Sequence, residues 1–371
     1  MSLLKKLNKL FNIPRSIYHY KKGHFLLPYL PGGLWIEPTN KCNLKCIMCP
    51  TSIVSQKEFG FMEINLFKKI IDEAKEFISY VVLCVSGESL LHKDFSQMVN
   101  YAKDNGIDTY VSTNCTVLTQ RVAKEILEAG LDWINFSFDG CTKEVYEKIR
   151  VNANFEKSLQ NVINFLKLKK ELGAKTCVDL QILAMDKEGV KDYEENIDTF
   201  LDNFSGLPLN NIQLRHPSSW GGFFLDTDRF DTRELSGHFS PCSYLWSSLS
   251  VLWDGRVVAC CSDFFGENVL GTFPEKSLKQ IWNDEPMRDF RQAMINNKYL
   301  DFNKNCQGCD ALWDAKILGL PSGIRGTSTL AVNNVFGGNY FSTFKRLAKY
   351  LEPNFAMEIV KRNKKTKRGS Y

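Results

Sequence analysis

The sequence predicts an α/β protein in which six parallel strands joined by crossover helices form an open, partial barrel, followed by a smaller α+β module. Three observations carry this. Apolar, β-branched runs alternate with helix-periodic stretches between residues 34 and 215. Gly106, Gly130 and Gly173 each fall just after a helical stretch and before the next strand, where a left-handed C-cap is wanted. Past residue 240 the pattern changes to a cysteine-bearing hairpin and a closing Cys-x2-Cys.

The first strand, residues 34–38, runs directly into a loop with three cysteines. A helix at 64–77 leads to a second strand at 80–85, and a helix at 95–105 to a third at 109–112. Helix 120–129 precedes strand 133–138, and helix 154–172 precedes strand 177–183. The last repeat is a helix at 191–204 and a strand at 211–215. In the second module Asp254-Gly255 reads as the tight turn of a hairpin between two apolar runs. The expected organisation is a basic extension over 1–33, the barrel over 34–235, the small module over 236–316, and a C-terminal extension with a basic tail over 317–371.

At 371 residues with 44% hydrophobic content, the chain is long enough for one large domain and a smaller one. No apolar run approaches a membrane span, and the segment 24–36 is broken by Pro28, Pro31 and a glycine pair. Residues 1–22 are dotted with lysine and lack the continuous apolar segment of a cleavable signal, so a cytoplasmic location is expected. Twelve cysteines then read as thiolate ligands and buried thiols rather than disulfides. Residues 1–36 and 361–371 each hold six Lys/Arg and no acid, and removing those twelve charges from the net +5 leaves −7 on residues 37–360. Leu3, Leu4, Leu7, Leu10 and Phe11 recur at helical spacing beside Lys5, Lys6 and Lys9, a pattern for an interfacial helix on anionic lipid or a cap on the barrel. Peripheral contact with an anionic membrane, aided by the polybasic tail, is the matching partner expectation, with a solvated tail as the alternative. No nucleic-acid partner is expected.

Cys42, Cys46 and Cys49 lie in the run Glu37-Pro38-Thr39-Asn40-Lys41-Cys42-Asn43-Leu44-Lys45-Cys46-Ile47-Met48-Cys49-Pro50. Thiolates hold iron–sulfur clusters, and three of them leave one iron of a cubane open to a non-protein ligand. A zinc ribbon is the other reading, but it wants a fourth ligand nearby, and no cysteine follows within thirty residues.

This Cys-x3-Cys-x2-Cys loop after a first strand resembles the radical S-adenosylmethionine (SAM) superfamily. The resemblance implies a partial (β/α)6, TIM-like barrel with a [4Fe–4S] cluster whose open iron binds SAM at the C-terminal ends of the strands. It also implies reduction of that cluster by an electron donor such as flavodoxin or ferredoxin. Ser86-Gly87-Glu88-Ser89 resembles the family's Gly-Gly-Glu-Pro motif, with Gly87 and Glu88 kept, which assigns Glu88 to the SAM ammonium. Ser112-Thr113-Asn114-Cys115 resembles its Thr-Asn-Gly turn, with Cys115 in the glycine's place. Ser137 at the end of the fourth strand and Arg150 thirteen residues on match the positions that bind the SAM ribose and carboxylate. Without the resemblance, Glu88 reads as a solvated turn residue, Arg150 as a surface ion pair and Cys115 as a buried thiol. Met48 stands where the family often has an aromatic residue.

The segment from Pro241-Cys242 through Cys260-Cys261 to Cys306-Gln307-Gly308-Cys309 resembles the SPASM extension of such barrels. Its cysteine count fits the shortened twitch form, in which Cys242, Cys260, Cys306 and Cys309 ligate one auxiliary [4Fe–4S] cluster; Cys261 rivals Cys260, and zinc would use the same thiolates. The implied chemistry is hydrogen abstraction by a 5′-deoxyadenosyl radical. The favoured outcome is oxidation of a carbohydrate-like alcohol, such as an amino sugar or aminocyclitol. A radical epimerase with Cys115 or Cys261 as hydrogen donor, a peptide-modifying enzyme, and a non-catalytic metal protein binding a partner through its basic ends are the alternatives.

Overall fold

A computed structural model of the chain describes residues 12–53, 58–215, 217–221, 223, 239–313 and 324. The expected basic helix in residues 1–11, the polybasic tail, and all of the C-terminal extension but Ile324 lie outside these residues. Among the described residues, no helix is long and apolar enough to cross a membrane.

Among the described residues nine strands form one open sheet, in which the six expected ones stand in the order β6-β5-β4-β3-β2-β1. They are β1 (Gly33–Ile36), β2 (Tyr80–Val82), β3 (Asp108–Thr113), β4 (Trp133–Ser137), β5 (Cys177–Leu183) and β6 (Asn211–Arg215), and every neighbouring pair is parallel. The sheet then continues through β7 (Ser248–Val251), β8 (Arg256–Val258) and β9 (Val269–Thr272) of the second module. β7 runs parallel to β1, pairing Gly33 with Ser248 and Ile36 with Val251. Hydrogen-bonded coverage of the β1 edge makes the module an extension of the barrel sheet, which also removes an exposed edge strand. The expected hairpin is present: β7 and β8 are antiparallel, and Leu252 N–H donates to the Arg256 carbonyl across the turn (2.8 Å).

Helices pack where their apolar stripes predict. The first two are α1 (Asn12–Lys21) and the single turn α2 (Pro50–Ile53). In α3 (Ile64–Ala74), Phe67, Ile70, Ile71 and Ala74 are buried, one face at i, i+3, i+4, i+7. After α4 (Phe95–Asp104) comes α5 (Gln120–Glu128), capped by the Thr119 side chain, which accepts from Val122 N–H. Two helices depart from expectation. α6 (Lys143–Ile149) has seven residues, too few for a periodicity to stand out. Following α7 (Phe155–Glu171), α8 (Lys187–Asp202) starts four residues before the expected 191, because Asp186 caps it by accepting from Gly189 N–H. Strand β2 ends at Val82, short of 85, since the chain turns there into the Ser86–Glu88 segment. The second module adds α9 (Leu278–Asn283) and α10 (Glu285–Ile295).

The N-terminal segment is laced onto the second module. Tyr20 Oη donates to the Pro241 carbonyl (2.9 Å), Trp246 Nε1 to that of His24 (2.8 Å) and Trp282 Nε1 to that of Tyr29 (2.6 Å). Asn283 meets Leu27 twice, accepting from its N–H (3.1 Å) and donating to its carbonyl (2.7 Å). Buried Arg291 stacks on Trp282 and donates to the carbonyls of Leu245 (2.8 Å) and Phe25 (3.1 Å). Residues 20–29 therefore act as a brace across the auxiliary module. Asn283→Ala should lower stability by about 2 kcal/mol, the worth of two such bonds, seen as a lower urea midpoint with an unchanged slope.

Candidate cluster and cofactor site

The three-cysteine loop is clamped on both sides. Asn40 accepts from Gly60 N–H (2.9 Å) and donates to the Glu58 carbonyl (2.8 Å), while Thr39 Oγ1 donates to the Gly60 carbonyl (2.5 Å). On the other side Lys45 and Ile47 donate their N–H groups to the carbonyls of Val151 and Ile149 (both 3.0 Å), at the end of α6. Cys42 is exposed, Cys46 buried and Cys49 in between. Leu44, Cys46 and Met48 join Val145, Ile149, Leu183 and Met185 in a small apolar cluster, with Trp220 packed against it. The thioether of Met48 thus fills the space beside the loop.

Burial pushes the Cys46 thiol up to about 12. A ligand thiolate is therefore not favoured on its own, and metal binding must displace the proton. Among the described residues no three His, Cys, Asp or Glu side chains are gathered as one metal ion requires.

The turn after β2 is built against this loop. Gly87 has φ +69°, and a Cβ there would stand 2.6 Å from the carbonyl oxygens of Thr39 and Lys41, so only glycine lets the two backbones meet. Glu88 is buried, donates its N–H to the Lys41 carbonyl (2.8 Å), and accepts from Asn114 N–H (2.7 Å), Thr113 Oγ1 (2.9 Å) and Leu90 N–H (3.2 Å). Burial drives its pKa up and those donors oppose the shift. A carboxylate offers about four acceptor directions, so one remains for an ammonium. Asn114 Nδ2 approaches the Cys42 sulfur at 3.9 Å, and Ser137 shares a 3.0 Å hydrogen bond with Ser112.

Arg150 lies beside the loop with part of its guanidinium engaged. Nη2 pairs with the Asp139 carboxylate, Nη1 lies 3.9 Å from the Cys46 sulfur, and Nε has no partner among the described residues. Neither residue is on the surface, so the surface ion pair is excluded. Cys115 takes φ +66°, the conformation of the glycine it replaces, and its fully buried thiol points to the Thr113 carbonyl within the core. That position removes it from the barrel mouth.

The expected auxiliary thiols lie near enough to influence one another's ionisation. Burial, then the charge of Cys260, pushes Cys242 up to about 12; burial, then Cys242 and Cys260, raises Cys306 and Cys309, and Cys306 also acts on Cys309. Every pair among these four is thus within electrostatic reach. Cys260 is pushed down, chiefly by a hydrogen bond from the Cys261 thiol. Cys261 is raised by that bond, then by burial, then by Cys260, Cys84 and Cys242. Cys260 is among the charges that raise Cys306 and Cys309, while Cys84 and Cys242 are among those that raise Cys261. An orphaned Arg150 Nε, a spare Glu88 acceptor and thiols beside both the cysteine loop and the auxiliary hairpin fit the cofactors that the sequence pattern implies.

Family profiles agree. One described as the radical SAM superfamily matches residues 36–200, and SPASM, an iron–sulfur cluster-binding domain, matches 242–310, together well over half of the chain. The chain belongs to the radical SAM superfamily. It is a radical SAM enzyme with a C-terminal SPASM domain, carrying a SAM-binding [4Fe–4S] cluster and an auxiliary iron–sulfur cluster. It is 27% identical to the tungsten-containing aldehyde ferredoxin oxidoreductase cofactor-modifying protein of Pyrococcus furiosus, over 78% of this chain and 96% of that one. Streptococcus suis SuiB bound to precursor peptide SuiA shares the fold, at TM-score 0.57 and 15% identity over 76% of this chain and 70% of SuiB. So does anSMEcpe with bound AdoMet, at 0.55 and 15% over 89% and 97%.

Glu37, Asp139 and Cys84 are site residues that motif reading missed. Glu37 is 1% exposed, and its carboxylate accepts from Ser86 Oγ, Ser86 N–H (3.2 Å) and Trp253 N–H (3.2 Å). The Trp253 indole lies where a side chain at Gly60 would stand. The available signal was a glutamate in an otherwise apolar strand end. Glu37→Gln turns one acceptor into a donor facing N–H or O–H groups, so unfolding by denaturant should show a loss of about 1–3 kcal/mol.

Proposed function

We propose that this radical SAM enzyme dehydrogenates an alcohol on a small, polar, carbohydrate-like molecule. The observation that carries the reading is the polar set that β4 and β5 place on one face of the sheet, beside the aromatic row Trp35, Tyr80, Tyr110 and Trp133. On β4 and β5, Ile134, Phe136, Val178, Leu180 and Ile182 belong to the core, so the alternating Asn135, Ser137, Asp179 and Gln181 face the other way. Asn135 donates to Ser112 Oγ (3.0 Å), and Asp179 accepts from Asn211 (2.6 Å) and Gln213 (2.8 Å). A belt of hydroxyl, amide and carboxylate groups matches a polyol better than an apolar substrate.

When bound, the SAM-binding cluster supplies the electron that cleaves SAM, and the auxiliary cluster gives the electron released by substrate oxidation somewhere to go. In this reading Cys42, Cys46 and Cys49 hold the first, and Cys242, Cys260, Cys306 and Cys309 hold the second. Glu88 orients the SAM ammonium with its remaining acceptor, and Asn114 lines the same mouth. The β1–β7 pairing makes the two sites parts of one sheet. A second reading, modification of a cofactor for another enzyme, is favoured by the long alignment with the Pyrococcus furiosus protein. Peptide modification has support only from a shared fold.

Replacing Cys42, Cys46 and Cys49 together with Ala should leave only the auxiliary cluster's iron and abolish 5′-deoxyadenosine; continued SAM cleavage would refute the assignment. With amino sugars and aminocyclitols in deuterated water, the product should be two electrons more oxidised. A product at the substrate's oxidation level carrying one deuterium would instead establish an epimerase, with Cys261 the donor to test. Cys306→Ala should still cleave SAM yet lose the oxidised product.

A further inference from the structure

We propose that Arg150, held by Asp139, positions and tunes the SAM-binding cluster through Cys46. The inference rests on the reading that Cys46 is a ligand of that cluster. One Nη2 N–H of Arg150 goes to Asp139 and Nη1 faces the Cys46 sulfur at 3.9 Å, so the cation stands directly against a cluster thiol.

The guanidinium is also fixed relative to the loop. Arg150 ends α6, donating its N–H to the Tyr146 carbonyl (2.8 Å) and accepting from Ala153 N–H (2.9 Å). The preceding residue, Ile149, accepts from Ile47 N–H in the cysteine loop (3.0 Å). The Arg150 and Asp139 side chains are only 7% and 1% exposed, so their charges act with little solvent screening. An arginine stays protonated under any working condition. A positive N–H donor on a cluster sulfur favours the more negative, reduced cluster and raises its potential. Asp139 does the opposite and holds the fork in place.

The test is a potentiometric titration of the reconstituted full-length enzyme, following the cluster EPR signal that changes on adding SAM, with SAM binding measured in parallel. Arg150→Gln should move the midpoint to more negative potential with SAM affinity kept within about twofold, and Asp139→Asn should move it upward. An unmoved midpoint with SAM affinity down by about tenfold or more would assign Arg150 to the carboxylate and overturn the proposal. Should either single variant fail to fold around a stranded charge, the double variant Arg150→Gln/Asp139→Asn removes both charges and the N–H···S contact together. A smaller negative shift then supports the proposal, and a parental midpoint overturns it. If no signal of the parent enzyme responds to SAM, the assignment of Cys46 fails, and the inference with it.

Discussion

A carboxylate with almost no solvent contact, Glu37, sits at the end of the first strand, and the site is assembled around the donors it requires. Leaving such a group unpaired is costly, because desolvation is not recovered unless hydrogen bonds replace the lost water. Its donors come from the SAM turn and from the auxiliary hairpin, Ser86 on one side and Trp253 on the other. Satisfying one carboxylate therefore brings three segments into register. Ser86, a departure from the glycine of the family motif, adds a hydroxyl donor to that arrangement.

The same logic explains why the auxiliary module is not a loose appendage. Its first strand adds to the barrel sheet beside β1, its hairpin turn rests on the segment that clamps the cysteine loop, and the N-terminal segment is bonded across its helices. A module with its own thiolate ligands gains rigidity from the barrel, and the barrel gains a covered edge. A fixed separation between the two metal sites is preorganisation that a reaction using both would need. Parallel sheet pairing supplies it more firmly than a linker would.

Much of this was legible from local pattern. The six barrel strands, five of the helices and the Asp254-Gly255 hairpin are read from periodicity and turn chemistry, because strand alternation and helical repeat act over a few residues. The cysteine spacing likewise records a single loop. Local reading stumbled where elements are short or set by a side chain, as with α6 and the early start of α8 at the Asp186 cap.

The chain by itself determined the types of its elements, the family to which its cysteine loop belongs, and the four thiols able to gather in the second module. Only the tertiary structure decided that Cys115 is walled into the core and that Arg150 pairs with Asp139 and lies against Cys46. The N-terminal brace and the Glu37 junction belong there too. The partners of Glu37 and Tyr29, for instance, are separated by 216 and 253 positions. Contacts across such distances follow from how the whole sheet and its helices pack, and no local spacing encodes them.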